Sequence, residues 1–113
     1  MSWNATHRHA RIAPRKARLV VDLIRGMKAD EALDVLRFTP KRGAGFVLKV
    51  LKSAMANADE KEADLDRLYV TEARVDEGPR MKRVMQKDRG RAHMIVKQMS
   101  HIRIVVDEKK AVK

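Results

Sequence analysis

Cysteine is absent from this chain of 113 residues, which excludes disulfide bonds, thiolate metal ligands and thiol nucleophiles. Aromatic residues make up only 4% of the sequence, fewer than a surface that stacks single-stranded bases normally has. The longest apolar runs have about three residues, as in the segment 19–21, whereas a transmembrane helix needs about 20. The N-terminal residues are polar and basic, which predicts that no secretory signal peptide is present. We therefore expect neither a disulfide-bonded scaffold nor a membrane protein.

Positive charge is what the sequence has in excess, with 26 lysines and arginines against 15 acidic residues and a formal net charge of +11. Two short segments, 1–25 and 78–91, carry +5 each. Charge concentrated in this way predicts two surfaces that need a polyanion to neutralise them. Nucleic acid is the commonest polyanion, and each phosphate contact is favoured by counterion release. The cations of the two segments are Arg8, Arg11, Arg15, Lys16, Arg18 and Arg25, then Arg80, Lys82, Arg83, Lys87, Arg89 and Arg91.

Hydrophobic periodicity predicts three helices. The first begins at Pro14, a residue suited to the first turn of a helix, and ends near Gly26. The second covers about Asp30 to Phe38 and is followed by a proline. The third has the strongest pattern, an apolar stripe that continues from residue 44 to residue 58. The acidic segment 59–66 after it is predicted to be a loop.

Alternation with a period of two predicts strands near 69–75 and 101–106, and a short strand or extended arm over 5–12. The resulting element order, one strand, three helices and two strands, predicts a single α+β domain covering residues 1–113. In this fold three helices pack on a small three-stranded antiparallel sheet. Residues 107–113 are predicted to form a flexible tail.

The second basic segment lies in a stretch predicted to form a long β-hairpin. If residues 70–104 form one hairpin that turns near 87–90, each arm of about 17 residues would reach roughly 55 Å. A compact domain of this size has a radius of gyration of only about 13 Å. The extended part, about 76–99, must therefore project from the body. An isolated two-stranded ribbon is marginally stable in water, and the charge of this one indicates that an anionic partner holds it.

Two arrangements of polar residues suggest other chemistry. His7 and His9, with His93 or His101, resemble an incomplete metal site, but no third ligand is fixed by the spacing, so we predict no metal and no cofactor. Asp76 and Glu77 are adjacent carboxylates, the composition of a small metal-dependent nuclease site. Adjacent strand residues point to opposite faces, which favours a charged turn instead. Because no catalytic motif is present, we predict that the chain is not an enzyme.

A DNA-binding module is the main alternative function. In that interpretation the three helices form a variant of the helix-turn-helix, and Arg37, Lys41 and Arg42 reach a groove or the backbone.

The methionines around the second basic segment permit two interpretations that can coexist, adaptable contact with a partner and packing across the hairpin. These methionines are Met81, Met85, Met94 and Met99.

Several motifs occur in one order along the chain. They are Arg18–Gly26, Lys49–Asn57, Val75–Arg83, Gly90–Ala92 and Ser100–Ile102. This pattern resembles the bacterial family of the twenty-second protein of the large ribosomal subunit, over about residues 5–106. The resemblance implies a small α+β body with a very long hairpin that runs inward through ribosomal RNA. It further implies a non-enzymatic structural role in the ribosome, in the cytoplasm, and participation in early assembly of the subunit.

The partners that this resemblance implies are large-subunit rRNA, neighbouring ribosomal proteins, and the nascent polypeptide at the hairpin tip, which helps to line the exit tunnel. The residues that match the family's rRNA-binding segments are Arg8, Arg11, Arg15, Lys16, Arg18, Arg80, Lys82, Arg83, Lys87, Arg89 and Arg91. Those that match the tip near the tunnel wall are Met81, Lys82, Arg83, Gly90, Arg91 and Ala92. Gln86 and Asp88 depart from the family pattern, because relatives often have a proline and a neutral residue there.

Overall fold

Three helices pack against one face of a three-stranded antiparallel sheet in the computed structural model, which confirms the predicted α+β fold. The structure describes the backbone of residues 2–87 and 91–108, and the side chains of residues 2–79 and 98–108. The elements are β1 (Ser2–Ala10), α1 (Pro14–Ile24), α2 (Ala29–Phe38), α3 (Arg42–Glu60), a short 3-10 helix (Leu65–Arg67), β2 (Leu68–Lys87) and β3 (Arg91–Glu108).

Helices α1 and α2 form where the periodicity predicts them. Pro14 occupies the first turn of α1, where its missing N–H costs no hydrogen bond. The chain leaves α1 at Gly26, whose φ of 80° is a conformation that glycine adopts without strain. The inner faces of both helices are buried, whereas Leu19, Leu23 and Phe38 are exposed. The buried residues are Ala17, Val20, Val21 and Ile24 in α1, and Ala29, Ala32 and Leu36 in α2.

Helix α3 extends two residues into the segment that we predicted to be a loop. The helix continues as far as Glu60 because its apolar stripe, which packs on the sheet, extends to the fully buried Ala58. The carbonyl oxygen of Ala58 then accepts hydrogen bonds from the N–H groups of Lys61 and Ala63, which close the helix end. Residues 61–64 form a turn and an irregular segment, as predicted for a loop, and the 3-10 helix then leads into β2.

The sheet has the strand order β1-β3-β2, and both pairings are antiparallel. Ala5, Ile104 and Ala73 form one row across its three strands, and all three are buried on the face that carries the helices. A bulge between Val70 and Glu72 breaks the simple alternation that we predicted for β2. As a result Val70 and Ala73, three positions apart, are both buried.

Strand β1 begins and ends earlier than predicted, and β3 runs further. Residues 11 and 12 follow β1 rather than belonging to it, whereas residues 2–4 pair with β3. Asp107 and Glu108, the first two residues of the predicted tail, pair with Ser2 and Leu68 respectively. Residues 109–113 lie outside the described part of the chain.

Strands β2 and β3, of 20 and 18 residues, continue as a ribbon beyond the three-stranded sheet. Pairing with β1 stops at Ala10, opposite Ser100, while β2 and β3 stay paired out to Lys87 and Arg91. The molecule measures 70 × 24 × 19 Å, and its radius of gyration of 17.2 Å exceeds the roughly 13 Å of a compact domain of this size. This elongation agrees with a hairpin that leaves the body.

Candidate nucleic-acid interface

The N-terminal basic residues follow the path of the chain from β1 into α1. Arg8 lies on β1, Arg11 in the connecting loop, and Arg15, Lys16 and Arg18 in the first half of α1. All five side chains are exposed to solvent. The segment therefore runs from the edge strand β1 through the loop into α1, where Arg18 reaches β2 at the opposite edge of the sheet.

The loop that carries Arg11 is held from two directions. The hydroxyl of Ser100 donates a hydrogen bond to the carbonyl oxygen of Ile12 at 2.6 Å, and the N–H of Ile12 donates to the carbonyl oxygen of Ala10 at 2.8 Å. Ile12 is itself buried among the core residues. The backbone beneath Arg11 is thus anchored although its side chain is exposed.

Arg18 and Arg25 have a structural role that the sequence did not indicate. The guanidinium of Arg18 donates to the carbonyl oxygen of Val75 at 3.0 Å, and that of Arg25 donates to the carbonyl oxygen of Ala73 at 2.6 Å. Arg25 also pairs with Asp22 at 2.7 Å. Since β2 is an edge strand, these arginines cover backbone acceptors that would otherwise be free.

The second basic segment lies on the ribbon. In the backbone register Arg80 faces Gln98, Lys82 faces Val96, and Arg83 faces Ile95, and the strands end at Lys87 and Arg91. Of the predicted tip residues, Met81, Lys82 and Arg83 belong to the outer half of β2, and Arg91 and Ala92 begin β3. Asp88, Arg89 and Gly90 lie outside the described residues.

Two cations missing from the predicted rRNA-binding set, Lys41 and Arg42, lie beside it. The N-terminal ends of α1 and α3 enclose a cavity of about 640 Å³, which Lys41 and Arg42 line together with Arg11 and Lys16. The sequence contains a signal for a basic surface here, since Lys41 and Arg42 are consecutive cations at the start of α3. Only the packing of α3 against α1 places them in the same cavity as the N-terminal basic residues.

The histidines and carboxylates do not form a metal or catalytic site in the part of the chain that the structure describes. No three metal-ligating side chains cluster there. The rings of His9 and His101 meet edge to face at 5.0 Å, while His7 packs 5.6 Å from Phe46. Asp76 lies 3.5 Å from the Nε of Arg74, as expected for a charged strand surface. The side chain of His93 lies outside the described residues.

Comparison with known proteins decides between the remaining interpretations. The family model of ribosomal protein L22p/L17e matches residues 5–107, almost the whole chain. The chain belongs to this family. The family predicted from the sequence motifs is thereby confirmed, and it disfavours both the helix-turn-helix and the nuclease interpretations.

Individual relatives agree with the family assignment. The large ribosomal subunit protein uL22 of Thermoanaerobacter sp. (strain X514) is 56% identical over 110 residues, which cover 96% of this chain and 99% of the relative. The protein of the same name from Thermus thermophilus is also 56% identical over 110 residues, covering 96% of this chain and 97% of the relative. Among the described residues, no helix is both long and apolar enough to cross a membrane.

Proposed function

We propose that this chain binds large-subunit rRNA through its two basic segments and that the end of its ribbon lines the tunnel for the nascent polypeptide. As a member of the L22 family, the chain is a structural constituent of the large ribosomal subunit. The residues proposed to bind rRNA are Arg8, Arg11, Arg15, Lys16, Arg18, Arg80, Lys82, Arg83, Lys87, Arg89 and Arg91. Neighbouring ribosomal proteins and, at the tip, the nascent chain are the other proposed partners.

The observation that carries the proposal is that a concentrated positive charge lies on the part of the hairpin that projects from the body. The segment 78–91 carries a net charge of +5 and covers the part of β2 that continues past the end of β1. A two-stranded ribbon has little core of its own, and like charges along it repel. RNA phosphates on either side of the ribbon would supply the missing stabilisation.

The exposed cations of the N-terminal segment suit phosphate binding. Arg8, Arg11, Arg15 and Lys16 have no ion-pair partner among the described residues. Contacts of this kind position a protein on RNA without reading base edges, so shape contributes more to specificity than sequence does. Arg18 differs, because its guanidinium already donates to the carbonyl oxygen of Val75. Its remaining N–H donors would contact a phosphate.

The tip proposal rests on the backbone register. Lys87 and Arg91 are the last paired residues of β2 and β3, so the basic segment 78–91 reaches the end of the ribbon. A ribbon whose outer part carries a net charge of +5 suits an environment in which RNA surrounds it. The residues proposed to line the tunnel are Met81, Lys82, Arg83, Gly90, Arg91 and Ala92.

The salt dependence of binding to large-subunit rRNA tests this function. For about six phosphates of irregular RNA, log K should fall against log salt with a slope near −4. In the variant R80Q/K82Q/R83Q this slope should become shallower by about 2. A variant with two cations removed elsewhere, K28Q/K61Q, should keep the original slope, because Lys61 lies between Glu60 and Glu62 and Lys28 lies two residues before Asp30. A slope near zero for the unaltered chain would contradict the proposal.

A further inference from the structure

The cavity between α1 and α3 combines positive charge with apolar surface. Its lining residues in the described part of the chain include four cations and no carboxylate, and Gln98 and Met99 of β3 contribute to the same lining. Leu19, which is 53% exposed, and Ile12 contribute apolar surface to the same cavity. Its volume of about 640 Å³ is in the range of about 300–1,000 Å³ that ligand pockets occupy.

The four cations are unpaired within the described part of the chain. Arg11, Lys16, Lys41 and Arg42 have no ion-pair partner among the residues that the structure describes. The guanidinium of Arg42 lies 6.0 Å from the centroid of the Phe46 ring, an aromatic contact that leaves its charge in place. Four like charges around one cavity repel one another, so this arrangement lowers the stability of the free protein.

The helix ends add to the positive potential of the cavity. Helices α1 and α3 have no acidic residue in the first turn and no side-chain cap, whereas α2 begins with Asp30 and Glu31. Cations at a helix N-terminus are unfavourable, since the helix dipole is positive there. Where a natural sequence departs from such a local rule, a functional site is a common reason.

The walls of the cavity are held in place before any ligand binds. The bond from Ser100 to Ile12 anchors the loop on one side. On the other side α3 approaches closely: a Cβ atom at Gly43 would lie 3.0 Å from Cδ1 of Ile12 and 3.2 Å from Cγ2 of Val20. Glycine therefore permits the contact that brings Arg42 to the cavity.

We propose that this cavity binds the RNA sugar-phosphate backbone, with Lys41 and Arg42 joining Arg11 and Lys16 in contact with consecutive phosphates. The apolar surface of Leu19 and Ile12 packs against the sugar or an unstacked base between them. This inference rests on the proposed function, and it extends the RNA-binding surface onto the first turn of α3.

The variant K41Q/R42Q of the full chain tests the site, with K28Q/K61Q as its matched control. We expect the salt slope for large-subunit rRNA to become shallower by about 1.4 in K41Q/R42Q and to stay unchanged in the control. The thermal midpoint of K41Q/R42Q should equal or exceed that of the unaltered chain, because the substitutions remove cations from a helix N-terminus. That combination separates a lost RNA contact from a folding defect.

Two outcomes would overturn this site. One is a K41Q/R42Q variant that keeps the steep slope of the unaltered chain, which would leave the proposed function intact. The other is an equal loss of slope in both variants, which would mean that charge anywhere on the body has the same effect. A shallow slope in the unaltered chain is a different result, because it would contradict RNA binding by the chain as a whole.

Discussion

The hydroxyl of Ser100 lies 2.6 Å from the carbonyl oxygen of Ile12 and donates a hydrogen bond to it in the protein interior. Ser100 is fully buried, and among the side chains that the structure describes it is the only polar one that is buried. It stands opposite Ala10, the last residue of β1, at the level where the sheet becomes a two-stranded ribbon. One bond thus links the base of the ribbon to the loop that carries Arg11.

Replacing Ser100 with alanine should destabilise the protein by about 1–3 kcal/mol, because the carbonyl oxygen of Ile12 would be buried without a donor. Urea denaturation measures the change in the free energy of unfolding. Ser53→Ala, at an exposed position of α3, is the control and should change stability by less than about 0.5 kcal/mol. Equal stability of the two variants would mean that the Ser100 bond contributes nothing.

The outer edge of β2 is covered along most of its length within the body. The N–H of Gly26 and the carbonyl oxygen of Met27 bond to Val70, and Arg25 and Arg18 donate to the carbonyl oxygens further along the strand. An uncovered edge strand is a template for pairing with another chain. These contacts therefore serve both stability and protection from association.

The double variant R18M/R25M should lose about 1–2 kcal/mol of stability and should self-associate at raised protein concentration. Denaturation and analytical ultracentrifugation measure these two effects. R8M/R15M, which removes the same charge from positions without a described acceptor, should do neither. A monomeric, fully stable R18M/R25M protein would show that the edge needs no arginine cover.

Gly43 and Gly45 provide a matched pair within one helix turn of α3. A Cβ atom at Gly45 would meet nothing within 4 Å, so Gly45→Ala should stabilise the protein by about 0.5–1 kcal/mol through helix propensity. Gly43→Ala gains the same propensity but crowds Ile12 and Val20, so its stability should fall below that of Gly45→Ala. Thermal unfolding of both variants measures the difference, and equal gains would contradict the close packing of α3 on α1.

Gly78 lies at the bulge where the ribbon leaves the body. A Cβ atom there would be 3.0 Å from the carbonyl oxygen of Met99 and 3.1 Å from its carbonyl carbon, both backbone atoms of the paired strand. Gly78→Ala should therefore push the strands apart and cost about 1–3 kcal/mol. Thermal unfolding beside Gly45→Ala measures this cost. A midpoint as high as that of the Gly45 variant would show that the strands separate without penalty.

The sequence predicted the elements that depend on local pattern and missed those that depend on packing. The apolar spacing of α1 was sufficient to locate it between Pro14 and Gly26. The end of α3 was not, because burial of Ala58 by the sheet, rather than the polarity of Asp59 and Glu60, decides how far the helix continues. The bulge after Val70 likewise could not be predicted from periodicity, because it shifts which residues of β2 are buried by one position.

The same distinction applies to the candidate site. The clustering of cations in 1–25 and 78–91 is visible in the sequence and predicted both basic segments. The sequence did not indicate that Arg18 bonds to the edge of β2, nor that Lys41 and Arg42 line one cavity with Arg11. Those relations join residues far apart in the chain, so they required the packed structure.

Crosslinking within assembled large subunits tests the central claim most directly. A photoreactive residue would replace Arg15 in one variant, Arg83 in a second, and Lys61, beside two glutamates, in a third. We predict that all three proteins co-sediment with the large subunit and that only the first two crosslink efficiently to its rRNA. Efficient crosslinking from position 61 but from neither basic segment would contradict the account.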